Sequence, residues 1–320
     1  MAIVTDDKRK SEATWTAWAQ ARLALLASEV GRRLSSMARV QRHAPVDYRD
    51  RISVATWLVV IGLGGSLLVE LPSVVLHAWA FGSPISIPFT GVVWFVLFLA
   101  ALAAAGTQSV ISVHPSLSGH HGAGRLATWP FWALPMALVS IAAVMVPLAP
   151  GRVIQVLGLI VSGTVIALAY SGLYATVDTG VAGSRRARLL LDTLAYSSGL
   201  LLFLFVYQTR TRSLLSGTLI ALIATLLSLE ILRTAAPRPI TALLYSGIVG
   251  LILGQVTWAL NYWVLPGITG GLLLLLIFYL LIGIAQQGLQ ERLTRRVLVE
   301  FGIFALVALV LIAWVGPGLS

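Results

Sequence analysis

The chain has 320 residues, 58% hydrophobic and only 11% charged, with a formal net charge of +10. Soluble domains carry about 25% charged residues, so composition places most of this chain in lipid and excludes an ordinary pair of soluble domains. Cysteine is absent, which excludes disulfides, thiolate catalysis, iron–sulfur clusters and zinc–thiolate sites together.

The first 50 residues are charged, and the first long apolar run starts near Ser53, so no signal-peptide pattern is visible. Within this segment Trp15, Ala19, Leu23, Leu26, Val30, Leu34 and Met37 recur every three or four residues, the spacing of one helix face. Arg32, Ser35, Ser36 and Arg39 fall on the other side. A basic amphipathic helix before a first span rests on the anionic cytoplasmic leaflet or docks on protein. Residues 1–50 are therefore read as a cytoplasmic amphipathic segment and 51–320 as the membrane domain.

A membrane-crossing helix needs about 20 apolar residues. Nine such runs follow: 53–77, 87–110, 129–149, 153–177, 189–207, 214–233, 240–264, 267–288 and 298–316. The expected fold class is all-α, a polytopic helical bundle of about nine spans plus the N-terminal helix. Lys and Arg set the orientation. Nineteen of the 22 basic residues fall on one side: ten within residues 8–51, then Arg125, Arg185, Arg186, Arg188, Arg233, Arg238, Arg292, Arg295 and Arg296. Arg152, Arg210 and Arg212 fall on the other. This predicts a multi-pass protein of the bacterial inner membrane, N-terminus in the cytoplasm and C-terminus outside. The basic excess then follows from topology, and nucleic acid is not a partner.

Ionisable residues inside spans are functional candidates by default. In chain order the first is Glu70, in "LLVELPSVVLH", with no basic residue within four positions. Pro72 frees the carbonyl of Leu68, and His77 follows seven residues on, the same face of a continuing helix. Next comes "HPSLSGHHGAGR", residues 114–125, with His114, His120 and His121. Their spacing lacks the i, i+4 pair that a helix offers a metal, and the Ser, Pro and Gly around them read as a solvated loop. Three further carboxylates lie near cytoplasmic ends with arginine at helical spacing: Arg188–Asp192, Glu230–Arg233 and Arg296–Glu300. These read as structural ion pairs, with Asp192 and Glu300 in first turns, where the helix dipole favours an anion. Finally "GQVTWALNYWVLPG" sets Gln255 and Asn261 among Trp258, Tyr262 and Trp263. The aromatic residues read as an interfacial belt, and Gln255 and Asn261 as polar candidates alongside Glu70 and His77.

"SGTVIAL" at 162–168 recurs as "SGTLIAL" at 216–222, and a further 54 residues reaches "GGLLLLL" at 270–276. A repeated two-helix hairpin within 152–316 would explain the interval. Chance self-similarity of apolar sequence is the alternative.

No lysine follows Lys10, which excludes a retinal-type Schiff base. Walker, Gly-x-Ser-x-Gly and His-Glu-x-x-His motifs are absent, as are paired aspartate-rich motifs for diphosphate chemistry. The stretches "LAAAGTQSVISVHP" (102–115), "WALNYWVLP" (258–266) and "GGLLLLLIFYLLIGIAQQGLQERLTRRVLVEF" (270–301) resemble an uncharacterised family of bacterial multi-span membrane proteins. The resemblance covers most of the membrane region, is most specific in the last stretch, and implies no activity, ligand or catalytic residue. The leading reading is a non-catalytic subunit or scaffold of a larger membrane assembly, with the bilayer and other membrane subunits as partners. A transporter or channel using a polar site around Glu70 and Asn261 comes second, and a membrane-embedded lipid or isoprenoid enzyme third. No cofactor or metal is expected; a bound lipid or pigment is left open.

Overall fold

The computed structural model describes residues 48–69, 74–80, 83–89, 91–114, 128–177, 182–209, 213–262 and 267–315. Contacts divide the chain into Met1–Asp47 and Tyr48–Ser320. The first unit, where the amphipathic helix is expected, lies outside the described residues, as do Glu70, His120 and His121.

Among the described residues the second unit is helical apart from one hairpin. Helix α1 (Tyr48–Ser66) is followed by strands β1 (Val74–Ala80) and β2 (Ser83–Phe89), then α2 (Gly91–Ile111). A 3-10 turn (Trp129–Trp132) leads into α3 (Ala133–Met145), which ends in a second 3-10 turn (Val146–Leu148). There follow α4 (Arg152–Ala175), α5 (Ala182–Thr209), α6 (Ser213–Leu232), α7 (Pro239–Leu260), α8 (Gly267–Leu289) and α9 (Arg295–Val315). Six helical segments among the described residues are long and apolar enough to cross a membrane: α2, α3 with its flanking turns, α4, Ser184–Tyr207 of α5, α7 and Ile268–Leu289 of α8. The apolar part of α6 is shorter, Ser216–Leu232. Helices α1 and α9 open on charge, with Arg49, Asp50 and Arg51 in one and Arg295, Arg296 and Glu300 in the other.

The hairpin corrects the expected first and second spans. The run 53–77 does not continue as one helix: α1 stops at Ser66 and residues 74–80 form β1. Pro72, Pro84 and Pro88 deny the segment a helix interior, and its valines, isoleucines and aromatic residues suit a strand. The strands pair antiparallel from Val74↔Phe89 to Ala80↔Ser83, leaving two residues between them. In such a hairpin the closing pair is hydrogen-bonded and pairs then alternate. Pro84, opposite Trp79, and Pro88, opposite Val75, thus occupy the non-bonded positions, so neither deletes a ladder bond. Among the described residues the sheet has only these two strands, and lipid-exposed sheet edges are not tolerated in hydrocarbon. His77 pairs in register with Ser86, and its expected place on a helix face seven residues beyond Glu70 does not apply.

The core is built around α3. Ala133 to Ala143 are buried almost without a break, the signature of a helix enclosed on all sides, and α1, α2, α4, α5 and α6 surround it. Helix α1, by contrast, buries one stripe: Ile52, Ala55, Val59 and Leu63. The closest helix pair is α6 with α7. A Cβ on Gly254 would stand 2.9 Å from the Ala221 Cβ and 3.0 Å from the Gly217 carbonyl oxygen, and one on Gly250 would collide with Thr225 and the Ala221 carbonyl. Small residues let helix backbones approach this closely in lipid, where dispersion and not water exclusion drives association. At the periphery α9 packs on α8, with Phe301 seated over Gly283. The glycines of the 54-residue interval face three different neighbours: Gly163 meets Val60, Gly217 the Gly254 carbonyl, and Gly271 Leu204.

Candidate functional site

One end of the bundle gathers most of the charge in its described part. Helix α6 finishes at Leu232, so Glu230 sits in a last turn, where the helix dipole disfavours an anion. Two arginines compensate. Arg233 Nη2 lies 2.7 Å from Glu230 Oε1, with side chains only 7% and 3% exposed. The same Nη2 donates to Thr176 Oγ1 at 3.3 Å, just past the end of α4. The guanidinium stacks over Phe131, 4.1 Å from the ring centroid, a cation–π contact that costs the arginine no hydrogen-bond donor. Arg188 of α5 reaches across to donate from Nη2 to the Ile231 carbonyl at 3.5 Å, one of the carbonyls that a helix end leaves free. Its Nε is 4.0 Å from Asp192 Oδ2, and both side chains are about a third exposed (38% and 31%).

The two ion pairs therefore differ in kind. A half-exposed pair at 4.0 Å contributes about 0–1 kcal/mol, whereas breaking a buried one costs about 3–5 kcal/mol because a charge is left without its partner. Asp192→Asn is expected to change stability by less than about 1 kcal/mol, read as a melting curve that overlays the wild type within a few degrees. A large loss would show that Asp192 belongs to the buried part of the cluster. Helix α5 starts at Ala182, which puts Asp192 nearly three turns inside it, beyond the first-turn dipole that the sequence suggested. Arg296 and Glu300, 3.2 Å apart, are 89% and 62% exposed on α9 and stand outside the cluster.

A second set of contacts closes the same end. Tyr48 and Tyr174 stack at 4.5 Å with their planes 6° apart, and His114 leans on Tyr174 at 4.8 Å. His114 is 7% exposed, which corrects its reading as part of a solvated loop: Tyr174, sixty residues later, covers it. Gln108 accepts at Oε1 from Thr128 at 2.9 Å and from the Trp132 ring at 3.1 Å. Arg51 donates to the Ser109 carbonyl at 3.0 Å. Sequence reasoning passed over Gln108, Thr128, Phe131, Tyr174 and Thr176; only their position at the ends of apolar runs could have marked them.

At the opposite end Asn261 donates to Ser216 Oγ at 2.9 Å, tying the end of α7 to the start of α6. Tyr207 donates to the Leu260 carbonyl at 3.3 Å. Gln255, six residues before Asn261, lines an open groove of about 410 Å³ with Gly217, Ala221, Gly254 and Trp258. Trp258 and Tyr262 meet edge to face at 5.3 Å. Between the two ends the interior is filled by Leu63, Leu99, Leu134, Ile166, Phe203 and Phe278, all essentially inaccessible. Tyr170 places its hydroxyl there by donating to the Ala103 carbonyl at 3.2 Å. Among the described residues no three His, Asp or Glu side chains come together as a metal cluster.

Long apolar helices packed through glycine contacts, with charge gathered at the helix ends, define a membrane-embedded helical protein. The chain belongs to the family described as "Protein of unknown function (DUF5656)", whose model matches residues 71–315. No curated protein matches the chain, and no solved structure does.

Proposed function

We propose that the protein is a non-catalytic subunit or scaffold of a larger assembly in the bacterial inner membrane, crossing it nine times with the N-terminus inside. The observation that supports this most is the division of labour within the bundle. Apolar side chains fill its middle, and the buried charged groups at its end, Glu230 and Arg233, meet one another and Thr176, while Arg188 reaches a helix carbonyl. Such groups hold helices at fixed positions, which is what a scaffold requires. Outward-facing Leu306, Val307, Leu309, Val310 and Leu311 of α9, each at least half exposed, offer apolar surface to lipid or to a neighbouring subunit. The test is the mass of the particle extracted with its native lipid. A stoichiometric second chain beside the 34.2 kDa polypeptide is expected, and a homogeneous single chain would overturn the reading.

The competing reading is a transporter using Glu70, Gln255 and Asn261. Uptake into proteoliposomes should then be pH-dependent, and it should disappear in Glu70→Gln while the melting temperature stays unchanged. On the scaffold reading Glu70→Gln keeps shape and hydrogen bonding, at a cost of no more than about 2 kcal/mol, and the assembly survives.

Topology is separately testable because the chain is free of cysteine. With single cysteines at Ser184 and Ser320, an impermeant thiol reagent added outside is expected to label Ser320→Cys alone. Labelling at both positions, or of Ser184→Cys alone, would overturn the nine-span map.

A further inference from the structure

We propose that the buried Glu230–Arg233 pair holds one ordered water molecule. Arginine and carboxylate in a buried pair ordinarily meet through two parallel hydrogen bonds. Here the contact is single, Nη2 to Oε1 at 2.7 Å. Glu230 Oε2 and Arg233 Nε are both buried and have no hydrogen-bond partner among the described residues. One is an acceptor and the other a donor, left over by the same one-legged contact. A charged group left dry in this way costs at least about 1–3 kcal/mol, so the site selects strongly for something that satisfies both atoms.

The chemistry of the occupant follows from the two atoms. It must accept from a guanidinium N–H and donate to a carboxylate oxygen. A metal cation has no lone pair for Nε, and an anion has no proton for Oε2 and would be repelled by it. Water does both, and buried waters typically make about three hydrogen bonds to groups of this kind. Wetted neighbours adjoin the site. Arg188 lies over the end of α6, bonded to the Ile231 carbonyl one residue from Glu230, and its side chain and that of Asp192 are about a third exposed. The cluster thus grades from a sealed pair to a wetted one. The inference does not depend on the assembly reading.

The test uses the full chain in lipid nanodiscs. A structure at a resolution that shows waters is expected to place one at about 2.7–3.2 Å from both Glu230 Oε2 and Arg233 Nε. A two-legged ion pair with nothing between its partners, or a protein side chain filling the gap, would overturn the proposal. Infrared difference spectra between H₂¹⁶O and H₂¹⁸O give a second measure. Wild type is expected to show an isotope-shifted band of a strongly bonded water that is lost in Arg233→Lys, which keeps the charge but removes Nε. Glu230→Gln, close in shape and deprived of one acceptor oxygen, is expected to lose the band too if Arg233→Lys fails to fold. Arg296→Gln, at the exposed pair, should keep it. A band unchanged in a folded Arg233→Lys or Glu230→Gln protein would sink the idea.

Discussion

Arg233→Ala is expected to destabilise the protein by about 3–5 kcal/mol, the cost of leaving a buried charge without its partner. The substitution strands Glu230, which is 3% exposed, and removes the guanidinium from Thr176 and from the face of Phe131. Three elements lose a shared anchor at once: the turn before α3, the end of α4 and the end of α6. Thermal unfolding in detergent or nanodiscs, followed by tryptophan fluorescence, reads the effect directly. The double variant Glu230→Leu with Arg233→Met is expected to recover most of the loss, because removing both charges of a buried pair is often neutral. If the single and double variants fall equally, the stability resides in packing around the side chains. If Arg233→Ala melts like the wild type, the pair is not buried in the folded protein.

Gly254→Leu is expected to be the most damaging single change in the α6–α7 contact. Overpacking costs about 1–3 kcal/mol when neighbours can yield. Here one neighbour is the Gly217 carbonyl oxygen, 3.0 Å from where the Cβ would stand, and a backbone atom cannot rotate out of the way. The helices must part, and the Asn261–Ser216 bond between them goes as well. The loss should reach or pass the top of that range. Gly247, on the same helix with nothing within 4 Å of its would-be Cβ, supplies the contrast: Gly247→Ala is expected to be neutral or to gain about 0.5–1 kcal/mol from the helix backbone. A Gly254→Leu protein that melts with the wild type would show that α6 and α7 stand further apart than described.

Several parts of the fold are legible in the sequence because their cause is local. A run such as 267–288 must form its backbone hydrogen bonds internally if it lies in lipid, and α8 occupies Gly267–Leu289. The spacing of Glu230 and Arg233 likewise announces a contact along one helix, since residues three apart share a face. Other readings fail for a definite reason. Hydropathy measures how apolar a window is and not its period, so the two ends of the proline-bearing stretch from Val74 to Phe89, residues 74–77 and 87–89, read as parts of two helices where a hairpin stands. A histidine flanked by Ser and Pro reads as a loop, and nothing near His114 in sequence reveals the ring of Tyr174.

The sequence alone determined most of the long apolar helices, among them α4, α7 and α8, and that disulfide and thiolate chemistry have no place here. Tertiary structure decided which of the expected ion pairs is sealed and which is wetted. Arg233 meets a threonine 57 positions away, Arg188 a carbonyl 43 positions away, and Tyr170 a carbonyl 67 positions away. Burial is a property of what the rest of the chain brings alongside, and identical i, i+3 or i, i+4 spacings therefore yield a buried Glu230–Arg233 pair and an exposed Arg296–Glu300 pair. The glycines divide in the same way: Gly247 and Gly254 are equivalent as letters, and only the approach of α6 makes the second irreplaceable.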